Sequence, residues 1–421
     1  MKIIWMIILA HSVLIACASR SDNFHAPEKN KINNVKRYMK SIFNFLERTD
    51  NDEFLLILGD SDGESSELSL FLTGARNQTK PAKRYNQIHF PFFAVDKQTG
   101  VLVIDLPNFD VVFHNVYVDL VMAFTHKLIF EKAKSLQILL VMPDKGKKEI
   151  VRFWRLAMKL VAILDENLED VSSSIALVGV SKPMRSRKKV LMMLEDVVKT
   201  LQKDTDFMKD TLSATYGSMS AEWIKHQIWW TQELMFIIME EDLFAVFQRP
   251  GKNGTFWSEK IRKHLRELFF ETDDYGIVYQ DLKVIVDGRT KDYISNIDTS
   301  VFVNNGVLRR CTKKIGTVQL PGFHTNSNIT QLKLSYANYV SKFRYTVDPK
   351  FKDYCLKVKL DASIWSKLKF ELEKLDFLEK LKGENSTLRE FGLDYFFVKK
   401  VQQYCKLSLN NERSNMNWSF D

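Results

Sequence analysis

Between residues 50 and 250 the chain repeats one pattern: a short run of almost wholly apolar residues, then a longer amphipathic segment, then another run. The runs are residues 54–58, 88–95, 101–104, 136–142, 175–180 and 243–247. Apolar runs of this length, with no polar residue on alternate positions, fit strands buried on both faces. The segments between them, near 66–74, 117–134, 148–166, 188–206 and 220–240, are long enough and periodic enough to be crossover helices. One step, from Val95 to Val101 through Asp96-Lys97-Gln98-Thr99-Gly100, is too short for a crossover and must be a hairpin. The pattern therefore predicts an α/β domain over residues 50–250. Its sheet is six-stranded and mostly parallel, with flanking helices and the strand of residues 88–95 antiparallel at an edge.

The flanks of that domain read differently. Lys2, the apolar run Ile3 to Ala10 and the small residues Ala16-Cys17-Ala18 form a signal-peptide pattern, with cleavage expected after Ala18. Leu14-Ile15-Ala16-Cys17 also reads as a lipobox that would acylate Cys17. Residues 19–49 hold a polar tract and then an amphipathic helix in which Val35, Tyr38, Met39, Ile42, Phe43 and Leu46 recur at helical spacing. Residues 251–421 read as an α-rich C-terminal region. It is expected to have helices at 258–270, 363–381 and 388–405 and short strands at 277–279 and 282–286.

Composition narrows the function classes. Removing residues 1–18 leaves 60 basic against 52 acidic side chains, a mild excess for so long a chain. The basic runs at 145–148 and 185–189 lack interleaved aromatics and read as solvated helix starts, so no nucleic-acid partner is expected. The remaining cysteines, Cys311, Cys355 and Cys405, allow at most one intramolecular disulfide, and no Cys-x-x-Cys or His-x-x-x-His spacing supports a metal site. Sequons at Asn77, Asn253, Asn328, Asn385 and Asn417 behind a signal peptide fit a secreted glycoprotein, and no segment after it is apolar enough to span a membrane.

Three segments at strand ends carry the chemical reading. The first apolar run ends at Gly59, followed by Asp60-Ser61-Asp62-Gly63-Glu64-Ser65-Ser66 and a helical pattern. A strand, a glycine-bearing loop and a helix start in succession form the place where backbone N–H groups cradle phosphate. The third run continues into Asp105-Leu106-Pro107-Asn108-Phe109, and the fifth into Ser181-Lys182-Pro183-Met184. In position and order these resemble the Walker A loop, the Asp-x-Pro-Gly-Phe switch segment and the guanine-specificity motif of septin-like and related P-loop GTPases. The resemblance covers roughly residues 50–250.

That resemblance implies a P-loop NTPase-like fold with degenerate nucleotide-binding positions at Gly59, Gly63, Ser65, Ser66, Asp105 and Lys182. Aligned without a gap, Ser65 replaces the phosphate-binding lysine and Ser66 falls on the magnesium-ligating serine; with a one-residue deletion, Glu64 replaces the lysine. Asn108 stands where the family has the glycine that senses the γ-phosphate, and Met184 replaces the base-reading aspartate. Asp60, Asp62 and Glu64 put carboxylates where phosphate would sit, and like charges about 4 Å apart repel by on the order of several kcal/mol. His114, nine residues after Asp105, could orient water but has no cradle to serve. The expectation is a secreted, non-catalytic pseudo-GTPase without cofactor, acting as a binding or scaffold protein for an unidentified protein partner. The alternative is a divergent nucleotide-binding GTPase or ATPase that takes Mg and GTP through the same residues.

Overall fold

The structure is a computed structural model. It describes residues 28–49, 51–59, 64–73, 91–96, 99–106, 109, 115–133, 135–142, 146–165, 168–181, 187–203, 221–248, 263, 265–266, 283–304, 306–307 and 362–382. The described residues up to Tyr293 form one compact unit and those from Ile294 a second, so the sheet-bearing unit runs past residue 250.

In the first unit the elements are α1 (Glu28–Arg48), β1 (Glu53–Leu58), α2 (Glu64–Thr73), β2 (Phe92–Val95), β3 (Leu102–Leu106), α3 (Val116–Lys132), β4 (Ser135–Met142) and α4 (Gly146–Leu164). They continue with a single turn α5 (Leu168–Val171), β5 (Ile175–Ser181), α6 (Arg187–Lys203), α7 (Ala221–Glu240), β6 (Phe244–Gln248) and α8 (Gly288–Asn296), whose last residues belong to the second unit. The strands form one six-stranded sheet in the order β2-β3-β1-β4-β5-β6. β2 pairs antiparallel with β3 at the edge, and every other pairing is parallel. The α/β class, the strand number and the antiparallel edge strand follow the hydrophobic pattern.

The hairpin between β2 and β3 is closed by its own chemistry. Asp96 N–H donates to Val101 O at 2.9 Å, and Gly100 N–H donates to Asp96 O at 2.9 Å. Gly100 sits at φ +77, a left-handed conformation that glycine adopts without a Cβ penalty. The Asp96 carboxylate accepts from Thr99 N–H at 2.9 Å and from its hydroxyl at 2.8 Å.

Both faces of the sheet are buried. One face carries Leu55, Ile57, Val103, Leu139, Val141, Val178, Val180, Ala245 and Phe247 against Leu68, Phe71 and Leu72 of α2. The alternate residues Phe54, Leu56, Leu58, Ile138 and Leu140 are fully buried as well, which is why each strand reads as a continuous apolar run. Burying each such side chain contributes about 1.5–3 kcal/mol. Close approach is required at Gly179 on β5, where an added Cβ would lie 2.5 Å from Val190 Cγ2 of α6.

α3 is buried over thirteen consecutive residues, Val118–Phe130. A helix buried all round needs cover on two sides. One side is supplied by α1, which packs along it and buries Ile32, Val35, Tyr38, Met39, Ile42, Phe43 and Leu46, the stripe expected from the sequence. The α3 N-terminus is capped by Asn115, whose side-chain oxygen accepts from Tyr117 N–H at 3.0 Å.

Of the strand expected at 282–286, the described residues 283–286 form no strand. Instead Lys283 N–H donates to Ile163 O at 3.2 Å, Lys283 Nζ pairs with Asp165 at 2.6 Å, and Asp287 N–H donates to the Asp119 carboxylate at 2.8 Å. The Lys283 and Asp287 N–H groups are satisfied by a helix carbonyl and a side chain, not by a ladder. The second unit contains a turn of 3-10 helix (Thr299–Phe302) and α9 (Ala362–Lys382), matching the helix expected at 363–381. Within it Lys374 pairs with Glu371 at 2.8 Å and donates to Phe302 O at 2.9 Å, while Asn304 N–H donates to Glu371 at 2.7 Å. The helices expected at 258–270 and 388–405 and the strand at 277–279 lie wholly or mostly outside the described residues, as do the signal segment, all five sequons and the three cysteines.

Candidate functional site at the carboxyl ends of β1 and β3

The topology singles out one end of the sheet. From β1 the chain moves outward to β2 and β3, then crosses β1 to β4 and proceeds to β5 and β6. The order reverses between β1 and β4, and in open α/β sheets ligands bind outside the carboxyl ends of the strands at such a switch point. β1 ends at Leu58, Gly59 follows, and α2 begins at Glu64. The first sequence segment thus lies at the switch point.

The second segment lies beside it. β1 and β3 are adjacent and parallel, with Ile57 opposite Asp105 and Leu58 opposite Leu106. Phe109 N–H donates to Gly59 O at 3.2 Å, tying the two strand ends together just beyond the sheet. Asp105 is completely buried. The third segment follows β5, which ends at Ser181 opposite Gln248 and is two strands from β1, about 10 Å away at ordinary strand spacing.

Of the residues singled out in the sequence, Gly59 and Asp105 are therefore at neighbouring strand ends, and Ser65 and Ser66 lie in the first turn of α2. Gly63, Lys182, Asn108, Met184 and His114 are outside the described residues. Among the described residues no group of three or more His, Cys, Asp or Glu side chains could hold a metal ion, and no helix is long and apolar enough to cross a membrane.

Behind the two strand ends lies a polar cluster that the sequence reading missed. The Phe109 ring packs on the His126 imidazole, centroids 4.8 Å apart, and the Lys159 ammonium lies over the same ring at 5.3 Å. His126 is 3% exposed and Lys159 7%. Neither His126 ring nitrogen has a protein hydrogen-bond partner among the described residues. Burial, and after it the Lys159 charge, hold His126 well below the ordinary histidine range, so it is neutral. Asp119, one turn into α3, is pushed up by burial, opposed by the Lys159 charge and by the hydrogen bond from Asp287 N–H. A signal was available: Asp119 and His126 are seven residues apart, on one face of a helix that is otherwise almost wholly apolar. Polar side chains inside such a helix mark a buried cluster.

A second missed feature is an ion pair. Arg266 donates to both Asp96 carboxylate oxygens, at 2.5 and 2.8 Å, and to Leu72 O at 3.2 Å, joining the β2–β3 hairpin to the end of α2. Comparison of the chain with known protein families finds none whose profile matches, and comparison with curated proteins finds no match.

Proposed function

We propose that this chain is a secreted, non-catalytic binding or scaffold protein built on a degenerate P-loop GTPase-like domain. The observation that carries the reading is the junction of β1 and β3. A phosphate cradle works by directing backbone N–H groups and a lysine at the phosphates. Here the Phe109 N–H, next to the γ-phosphate-sensing position of the resembled family, is directed at Gly59 O. In the sequence the loop between β1 and α2 carries Asp60 and Asp62, and Glu64 opens the helix, so negative charge replaces the lysine. The antiparallel edge strand, the position of β1 between β3 and β4, and the burial of Asp105 at the β3 end support kinship with the GTPase arrangement.

Protein partners are then the natural ligands, and the chain's own helices and C-terminal region are the surfaces on offer. The test is titration calorimetry of the mature protein with magnesium and GTP, GDP or ATP. No binding is expected up to about 1 mM nucleotide, that is, an affinity weaker than about 4 kcal/mol. Micromolar binding would favour the divergent nucleotide-dependent enzyme and overturn the reading. A variant carrying Glu64→Gly and Ser65→Lys should gain phosphate affinity if the loop backbone remains a P-loop.

A further inference from the structure

The β1 and β3 ends are joined through Phe109, and the ring of Phe109 rests on a buried histidine. The backbone tether, Phe109 N–H to Gly59 O at 3.2 Å, places the ring at the His126 imidazole, 4.8 Å between centroids. Lys159 reaches the same ring from α4, with its ammonium 5.3 Å from the centroid. One aromatic ring thus has a lysine ammonium and a titratable imidazole as neighbours.

From α4 the group that acts on His126 is Lys159. From α3 itself, Asp119 lies seven residues earlier and accepts from Asp287 N–H at 2.8 Å, while Lys127, next in sequence, pairs with Glu131 at 2.6 Å. The segment before α8 brings Asp287 to Asp119. From α1, which packs along α3, Arg37 lies over the Tyr38 ring at 5.4 Å. Among these, no carboxylate is hydrogen-bonded to His126, and its ring nitrogens have no protein partner among the described residues. A proton added to His126 therefore creates an unpaired buried cation beside Lys159. That arrangement is costly and is relieved by bringing the imidazolium to water.

We propose that His126 is an acid-sensitive latch on the junction of β1 and β3: protonation of the imidazole drives the Phe109 ring off His126 and releases the Phe109 tether to Gly59. Above the transition the neutral imidazole packs against the ring and the strand ends stay tied. Below it the Phe109–Gly59 hydrogen bond opens while the sheet, including the terminal Leu58–Leu106 pair of the β1–β3 ladder, remains paired. The proposal goes beyond the binding reading above and holds whether or not the junction accepts any ligand. Its consequence is an acid-dependent change in the surface at the carboxyl ends of β1 and β3.

Hydrogen exchange of the full mature chain tests it, following the Phe109 amide between pH 7.5 and pH 4.5 with each rate normalised to the intrinsic rate at that pH. In the wild-type protein, protection of that amide should fall at least tenfold as pH drops, while amides of β4 and α9 keep theirs. His126→Phe should hold Phe109 protection constant across the range, and His126→Gln serves if the phenyl ring is not accommodated. In the unmodified protein, the NMR titration of the His126 Cε1 proton should share its midpoint with the exchange transition. The proposal is overturned if Phe109 protection does not change down to pH 4.5. It is equally overturned if the change persists in the His126 variants, if β4 and α9 lose protection at the same pH, or if the two midpoints differ by more than one pH unit.

Discussion

Replacing Arg266 with Met is predicted to be among the most damaging single changes to the first unit. Both partners are buried, Asp96 with a side chain 2% exposed and Arg266 9%, and the pair is bidentate. Met keeps most of the aliphatic bulk but leaves the Asp96 carboxylate and the Leu72 carbonyl without the guanidinium. Removing one partner of a buried pair costs about 3–5 kcal/mol, because an uncompensated charge stays behind. The two hydrogen bonds from Thr99 remain and should hold the loss toward the lower end. Burial by itself would raise the Asp96 carboxyl, but the hydrogen bonds from Arg266 and Thr99 and the Arg266 charge outweigh it and bring it down to about 2. Against an ordinary value near 3.8, this is worth about 2 kcal/mol. A depressed carboxyl stabilises the fold above its unfolded value, and that contribution drains away as pH falls from about 4 toward 2. The assay is urea unfolding followed by far-UV circular dichroism at pH 7 and pH 3. Arg266→Met should lower the pH 7 stability by at least about 3 kcal/mol, and the double variant Arg266→Met with Asp96→Leu should recover part of that loss. A loss under about 1 kcal/mol in the single variant would place the pair in the class of exposed salt bridges and refute the argument.

Two further outcomes can be read with the same unfolding assay. Gly179→Ala should cost about 1–3 kcal/mol, since its Cβ would meet the stiff Val190 side chain at 2.5 Å, and pairing it with Val190→Ala should restore much of the loss. Asn115→Ala removes the acceptor for Tyr117 N–H at the start of α3 and should cost about 1 kcal/mol, whereas Asn115→Ser should be nearly neutral.

What was legible in the sequence was whatever local patterning encodes. Strands buried on two faces must be apolar throughout, and each such run became a strand of the sheet. The hairpin at 96–100 was legible because no crossover helix fits five residues. The segment at 282–286 misled for the same local reason. Val284-Ile285-Val286 has strand-like composition, but its partners are a helix terminus and the Asp119 side chain, and nothing in the segment encodes them. Long-range pairs were invisible: Asp96 and Arg266 are 170 residues apart, and neither is unusual where it stands.

The candidate site divides along the same line. That Gly59 and Asp105 would be neighbours was implied by the resemblance, in which the phosphate loop and the magnesium-bearing strand adjoin; the run pattern puts both at strand ends but does not order the strands. Which way the Phe109 N–H points was not readable, because a peptide group facing a ligand and one facing Gly59 O can have the same sequence. The distinction matters physically. An N–H committed to a backbone acceptor extends the contact of β1 and β3 one hydrogen bond beyond their ladder, which ends at Leu58 and Leu106, without any bound anion. A domain whose strand ends are held by nucleotide is stabilised in proportion to nucleotide concentration. On the reading proposed above, the Phe109 hydrogen bond needs no nucleotide, so adding magnesium and GTP should leave the urea midpoint unchanged, and pH should reach the junction through the His126 ring that Phe109 packs on.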